Sequence, residues 1–155
     1  MSRTTPLWKP LIIAALVLPG LGTIAAGRAP SPVPPTMTVY KNASCGCCNS
    51  WINHVRAAGF AVTAYDTDDL SSVMTSMGVP RPLASCHTAK VGNYVIEGHV
   101  PADLVKKLLA DHPAILGLSV PGMVTGSPGM EGPNPQHYDV IAWDRTGKTS
   151  VYARR

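Results

Sequence analysis

Residues 37–59 read Met-Thr-Val-Tyr-Lys-Asn-Ala-Ser-Cys-Gly-Cys-Cys-Asn-Ser-Trp-Ile-Asn-His-Val-Arg-Ala-Ala-Gly. The first five residues are short, β-branched and alternating, which predicts a strand over Met37–Lys41. Trp51, Ile52, Val55 and Ala58 then recur at three- and four-residue spacing before Gly59, so Cys47–Ala58 reads as a helix closed by glycine. Three thiols, Cys45, Cys47 and Cys48, therefore fall on a strand-to-helix junction. There the helix dipole and the unpaired N–H groups of the first turn favour a thiolate, lowering its pKa below about 8.5. Gly46 lets the backbone turn tightly enough for the sulfurs to converge. A thiolate is both the nucleophile of disulfide exchange and a soft metal ligand, so the cluster admits redox cycling and metal capture.

Outward from this stretch, Ala61–Tyr65 reads as a second strand, and Asp68-Asp69 caps a short helix carrying Leu70, Val73, Met74 and Met77 up to Gly78. Leu83–Val91 and Asn93–Ile96 read as two strands turning at Gly92-Asn93. Pro101–Asp111 is a third helix with proline in first position and Leu104, Val105, Leu108 and Leu109 on one face. The order β-α-β-α-β-β-α, with Cys45 and Cys48 in Cys-x-x-Cys spacing at the first junction, is that of a thioredoxin-like α/β fold, a mixed sheet flanked by helices. Residues 113–135 are dense in Gly, Pro and Met and are expected to lack regular structure, a length that points to function. Tyr138–Asp144 and Thr149–Tyr152 are expected to form an added C-terminal hairpin around Thr146-Gly147.

At the amino terminus, Arg3 and Lys9 precede the apolar run Leu11–Leu18, followed by Pro19-Gly20 and small residues to Gly27. That layout predicts a signal peptide over residues 1–28, and hence export; the competing reading is an uncleaved membrane anchor, the one route to a membrane association. Residues 29–36 are too rich in proline to fold and form a stiff linker. Residues 37–155 suffice for one domain with one modest core. The net charge is +4, but the cations outside the leader are scattered, which gives nucleic-acid binding no support.

Cys86 and His87 are the second set of candidates. The strand that carries them is expected beside the first strand, ending near the thiol loop. Strand alternation sends neighbouring side chains to opposite faces, so both can meet one ion only if the strand ends or bulges there. A disulfide between Cys86 and one of the clustered thiols is the competing reading in an exported chain with four cysteines. Met123 and Met130 offer thioethers suited to copper(I), or else fill the irregular loop as apolar plugs. His99 reads as the residue leading into the third helix, or else as a support behind the ligands; His54 reads as a solvent-facing position, and His112 and His137 carry no expected role. Glu97 is a candidate to orient a ligating histidine. Zinc can use four cysteines, but three adjacent thiols on a tight loop make a regular tetrahedron awkward.

Tyr40-Lys41 through Cys45-Gly46-Cys47-Cys48, Trp51, Ser85-Cys86-His87-Thr88-Ala89, Tyr94, Glu97-Gly98-His99-Val100-Pro101-Ala102, Val120-Pro121-Gly122-Met123 and Gly126-Ser127-Pro128-Gly129-Met130-Glu131 are ordered matches to one family. Over residues 37–135 the chain resembles the CopG-type family of small exported copper-resistance proteins, departing from it at Val124, where proline is frequent. The resemblance implies a thioredoxin-like domain in the periplasm that binds copper(I), even as a multinuclear cluster, with Cys45, Cys47, Cys48 and Cys86 as ligand candidates. It further implies a thiol redox role and other exported copper-handling proteins as partners. Two functions stay open: a copper-binding module, joined by His87 or a methionine, and a thiol-disulfide oxidoreductase in which Cys45 attacks and Cys48 resolves.

Overall fold

The computed structural model describes Met1 and residues 33–155. The expected leader and most of the proline-rich linker lie outside the described residues. Among those described, no helix is long and apolar enough to cross a membrane.

The chain order is β1 (Thr36–Lys41), α1 (Gly46–Ala57), β2 (Ala61–Asp66), α2 (Leu70–Ser76), a 3-10 turn (Arg81–Leu83), β3 (His87–Val91), β4 (Tyr94–Glu97), α3 (Ala102–Asp111), β5 (Gly117–Ser119), β6 (Asp139–Trp143) and β7 (Thr149–Arg154). The strands form one mixed seven-stranded sheet in the order β2-β1-β3-β4-β5-β6-β7. β1 pairs in parallel with β2 and antiparallel with β3, bringing Lys41 opposite His87. The carboxyl end of β1, which opens into the thiol loop, therefore lies beside the start of β3.

Successive strand residues feed different cores, as the two-residue period requires. Ile96 joins Met37, Val39, Trp51, Val55, Ala89, Val105, Leu108 and Leu118 in the larger cluster, into which α1 and α3 send their apolar faces. Its neighbour Val95 joins Val79, Leu83 and Trp143, against which Met74 and Met77 of α2 pack. Asp69 caps α2 by accepting from the Ser72 N–H at 3.0 Å.

Three expectations are corrected. The third strand begins at His87, not Leu83, because Pro82 has no N–H to give a ladder, Leu83 turns back to Pro80, and the Ser85 N–H is taken by the Glu97 carboxylate at 2.7 Å. Residues 113–135 are not without regular structure: Gly117–Ser119 is a strand pairing with both β4 and β6. Three residues are too few to show a period. A side chain at Gly117 would collide with the Val95 carbonyl and the Trp143 ring, which explains the glycine. The carboxyl-terminal hairpin is in consequence no appendage, since β5 joins it to the sheet and Val140, Ala142 and Trp143 are buried in the cores.

Candidate metal centre

β1 ends at Lys41, and Asn42 shapes the loop that follows. Its side-chain oxygen accepts from the Ser44 N–H and Oγ–H at 3.0 and 2.7 Å, while its carbonyl accepts from the Cys45 N–H at 3.0 Å. Cys45 then occupies the N-cap of α1, with no side-chain hydrogen bond to the first turn and no acidic residue in that turn.

Cys45 and Cys48 are joined by a disulfide, and Cys47 and Cys86 are free thiols. The expected alternative, a bridge from Cys86 to the cluster, is thus not the one formed, because the Cys-x-x-Cys spacing on the first helical turn already brings Cys45 and Cys48 together. Cys47 Sγ lies 3.6 Å from Cys45 Sγ and 3.9 Å from Cys86 Sγ. Cys48, fully buried, places its sulfur 3.3 Å from the Cys86 carbonyl. All four cysteines bring their sulfurs within 4.8 Å of one another.

Cys86 also belongs to a second group. It stands one residue before β3 begins, free of strand alternation, so that Cys86 and His87 approach each other: His87 Nδ1 is 3.4 Å from Cys86 Sγ. On the other side His99 Nε2 is 3.0 Å away. Cys86, His87 and His99 each offer a donor atom within 4.8 Å of the others. His99 Nδ1 donates to the Pro128 carbonyl at 2.8 Å, since a carbonyl can only accept, which leaves Nε2 as the nitrogen with a lone pair facing sulfur. Sequence alone gave His99 no more than a supporting place at the approach to α3, yet the signal for a closer role was present. β3 and β4 pair with Thr88 opposite Glu97, and His87 and Gly98 continue that register through the Gly98 N–H to His87 carbonyl bond at 2.9 Å. One further step sets Cys86 opposite His99, a pairing already implied by a turn at Gly92-Asn93.

The electrostatics follow from burial. The Cys86 thiol is pushed up to about 12, first by burial and then by neighbouring Cys47. His87 has no exposed surface and is lowered to about 3, by burial and then by His99, so its ring stays neutral at ordinary pH, with one nitrogen protonated and the other bearing a lone pair. His99 is lowered by burial as well. The ring of His87 packs 4.4 Å from that of Trp51 and 5.0 Å from that of His99. Its Nε2 is buried with no hydrogen-bond partner among the described residues. Leaving such a group unsatisfied costs about 1–3 kcal/mol.

Glu97, a candidate to orient an imidazole, takes other partners. Its two oxygens accept from the Ser85 N–H and the Thr88 hydroxyl, both at 2.7 Å, gripping the segment that bears Cys86 and His87. Burial raises its pKa to about 7 against the opposing pull of those two donors. His54 departs from expectation: half-buried, it accepts the Ala102 N–H at 3.1 Å and so caps α3. The Gly-Pro loop closes over the site. Gly122 bonds through its N–H to the Ala84 carbonyl at 3.1 Å and accepts from Ser85 Oγ. Gly129 rests on the backbone of Cys47 and Trp51, where a Cβ would meet Trp51 N at 2.6 Å. Met130 follows it, half-buried, whereas Met123 is 60% exposed. The structure thus brings Cys45, Cys47, Cys48, Cys86 and His87 together, adds His99, and leaves Met123 open to solvent.

With the Cys45–Cys48 disulfide opened, four sulfurs and two imidazoles with lone pairs form a donor set suited to soft or borderline cations. Residues 83–130 match a family described as "Protein of unknown function, DUF411". The chain is also similar to two solved structures of a copper resistance protein, CopG, in its forms 1 and 2. In each case the identity is 41%, the match covers 79% of this chain and 98% of the other, and the TM-score is 0.75. No curated protein sequence matches significantly.

Proposed function

This chain belongs to the CopG-type family of copper-resistance proteins, and from that premise we propose that it is a periplasmic copper(I)-binding protein that holds metal through Cys45, Cys47, Cys48 and Cys86. The single observation that carries the reading is Cys86, whose sulfur is shared between the three-thiol loop and the His87–His99 pair. His87 and His99 complete the donor set, and a sulfur common to two groups suits more than one copper ion. Reduction of the Cys45–Cys48 disulfide by an external dithiol, itself oxidised to a disulfide, supplies two of the four sulfur ligands. Capture displaces the Cys86 proton, which burial and neighbouring Cys47 otherwise favour by raising that thiol to about 12. Met130 and Met123 are held in reserve as thioether ligands. Support for a thioredoxin-like core comes from the β2-β1-β3-β4 order, with β1 and β2 parallel and the thiols on the β1–α1 junction. Support for export comes from the disulfide and the apolar run at residues 11–18.

The test is anaerobic titration of the reduced full chain with copper(I) against a competing chelator, with native mass spectrometry to count ions. Tight binding of one or more ions, with release of protons and loss in Cys45→Ser or Cys86→Ser, is the expected result. Weak binding despite four titratable thiols would overturn the copper reading.

A second reading has its own support in the Cys45–Cys48 disulfide, which is the oxidised form of a thiol-disulfide oxidoreductase. Cys47 separates the two. Cys47→Ser should lose copper while the Cys45–Cys48 pair still exchanges with a small dithiol; loss of exchange would contradict that division of labour.

A further inference from the structure

Two free thiols remain beside the disulfide, and neither is needed by a simple dithiol pair. They are its neighbours in a compact cluster: Cys86 Sγ is 3.9 Å from Cys47 Sγ, which is 3.6 Å from Cys45 Sγ, which is bonded to Cys48. Both gaps are near the ~3–3.5 Å separation of reacting atoms in a near-attack arrangement. The far end of the series is closed to outside reagents, because Cys48 is fully buried, whereas Cys45, Cys47 and Cys86 are half-buried. At the near end, Cys86 is hydrogen-bonded to His99 Nε2 at 3.0 Å, and His99 is fixed in that tautomer by the Pro128 carbonyl at 2.8 Å. A thiol, a base within reach and a third group orienting the base are the parts of an activated nucleophile.

We propose that Cys47 and Cys86 are successive nucleophiles of an internal disulfide relay that moves the bond from Cys45–Cys48 to Cys47–Cys86. In the first step the Cys47 thiolate attacks Cys45 Sγ, the Cys45–Cys47 bond forms, the Cys45–Cys48 bond breaks, and Cys48 leaves as the thiolate. In the second, Cys86 Sγ attacks Cys47 Sγ as its proton passes to His99 Nε2. The Cys47–Cys86 bond forms, the Cys45–Cys47 bond breaks, and Cys45 leaves with the electron pair and takes the proton from His99. One disulfide and two thiol equivalents are present throughout, so no external oxidant or reductant is required. The relay opens the buried Cys48 without any reagent reaching it, and it transfers the oxidised bond to the more accessible pair. It rests on the thiol-exchange reading rather than on copper binding.

Trypsin distinguishes the two isomers, since Cys45, Cys47 and Cys48 share the peptide 42–56 and Cys86 lies in 57–90. The full metal-free chain is prepared with its disulfide confined to peptide 42–56, freed of oxidant, and incubated anaerobically. Aliquots are alkylated in acid, digested without reductant and weighed. The expected result is growth of a disulfide-linked 42–56/57–90 pair at the expense of the internal form, with loss of that growth in Cys47→Ser. A linked pair that never appears, with Cys47 and Cys86 always alkylated, overturns the relay; so does a Cys47→Ser chain that links at the wild-type rate. Reduction of the starting disulfide by a small dithiol is measured alongside. If it proceeds while the linked pair is absent, the thiol-exchange reading survives and the relay alone falls; if neither occurs, both fall.

Discussion

His87 illustrates how burial becomes a measurable pH dependence. Its imidazole protonates near 6.5 in an unfolded chain but only near about 3 inside the fold, so the unfolded state takes up the proton first as pH falls. The stability this group contributes is complete above 6.5 and is lost on the way down to about 3, roughly 3 kcal/mol of it by pH 4 at 1.36 kcal/mol per unit. Unfolding of the metal-free chain between pH 7 and 4 should show that loss, and His87→Phe should flatten it; parallel curves for the two would refute the assignment. Glu97 has the opposite sign, because its folded value is raised to about 7, and its contribution fades as pH rises from about 4.5. At this scale the thiol positions were legible, since Cys45, Cys47, Cys48 and Cys86 need only composition and spacing to be noticed. His99 was not, because its role depends on lying across a hairpin from Cys86, a relation that exists in strand register and not in local sequence. His54 escaped for the same reason, being bonded to an amide 48 residues away.

Among the elements, the glycine-rich loop makes the sharpest prediction. Gly129 sits at φ +84°, and an added Cβ would lie 2.6 Å from Trp51 N and 2.9 Å from the Cys47 carbonyl. Neither backbone atom can step aside without unwinding the first turns of α1. Gly129→Ala should therefore cost about 2–4 kcal/mol, the sum of left-handed strain and overpacking. A fall in the urea midpoint, together with weaker copper binding as Pro128 draws away from His99, checks this; an unchanged midpoint would mean that the loop is not seated on the helix. The helices and most strands could be read from the sequence because their apolar positions repeat over ten residues or carry clear caps. β5 could not, being three residues inside a stretch of Gly and Pro whose pairing is dictated by β4 and β6. Nor could the late start of β3, decided by a side chain twelve residues on that claims the Ser85 N–H.

Across the whole molecule, Trp143 ties the carboxyl-terminal hairpin to the body. It is 1% exposed, it covers Gly117, and its Nε1–H donates to the Gly78 carbonyl at 2.9 Å at the end of α2. Trp143→Ala should cost about 3–5 kcal/mol through cavity formation, with a further penalty for the unpaired carbonyl. Equilibrium denaturation provides the measurement, and a loss under about 1 kcal/mol would show the hairpin to be peripheral after all. The sequence suggested an added hairpin because β6 and β7 come after a long loop; only the intervening β5 turns that addition into the continuation of one sheet.

The amino end of α1 carries neither an acidic residue nor a capping hydroxyl, and Cys45 stands where one would be expected. A disulfide sulfur carries no charge, so while Cys45 is bonded to Cys48 the dipole meets no anion there, and a thiolate released at that position would supply one. Opening the disulfide would therefore give the first turn of α1 an electrostatic anchor that it otherwise lacks.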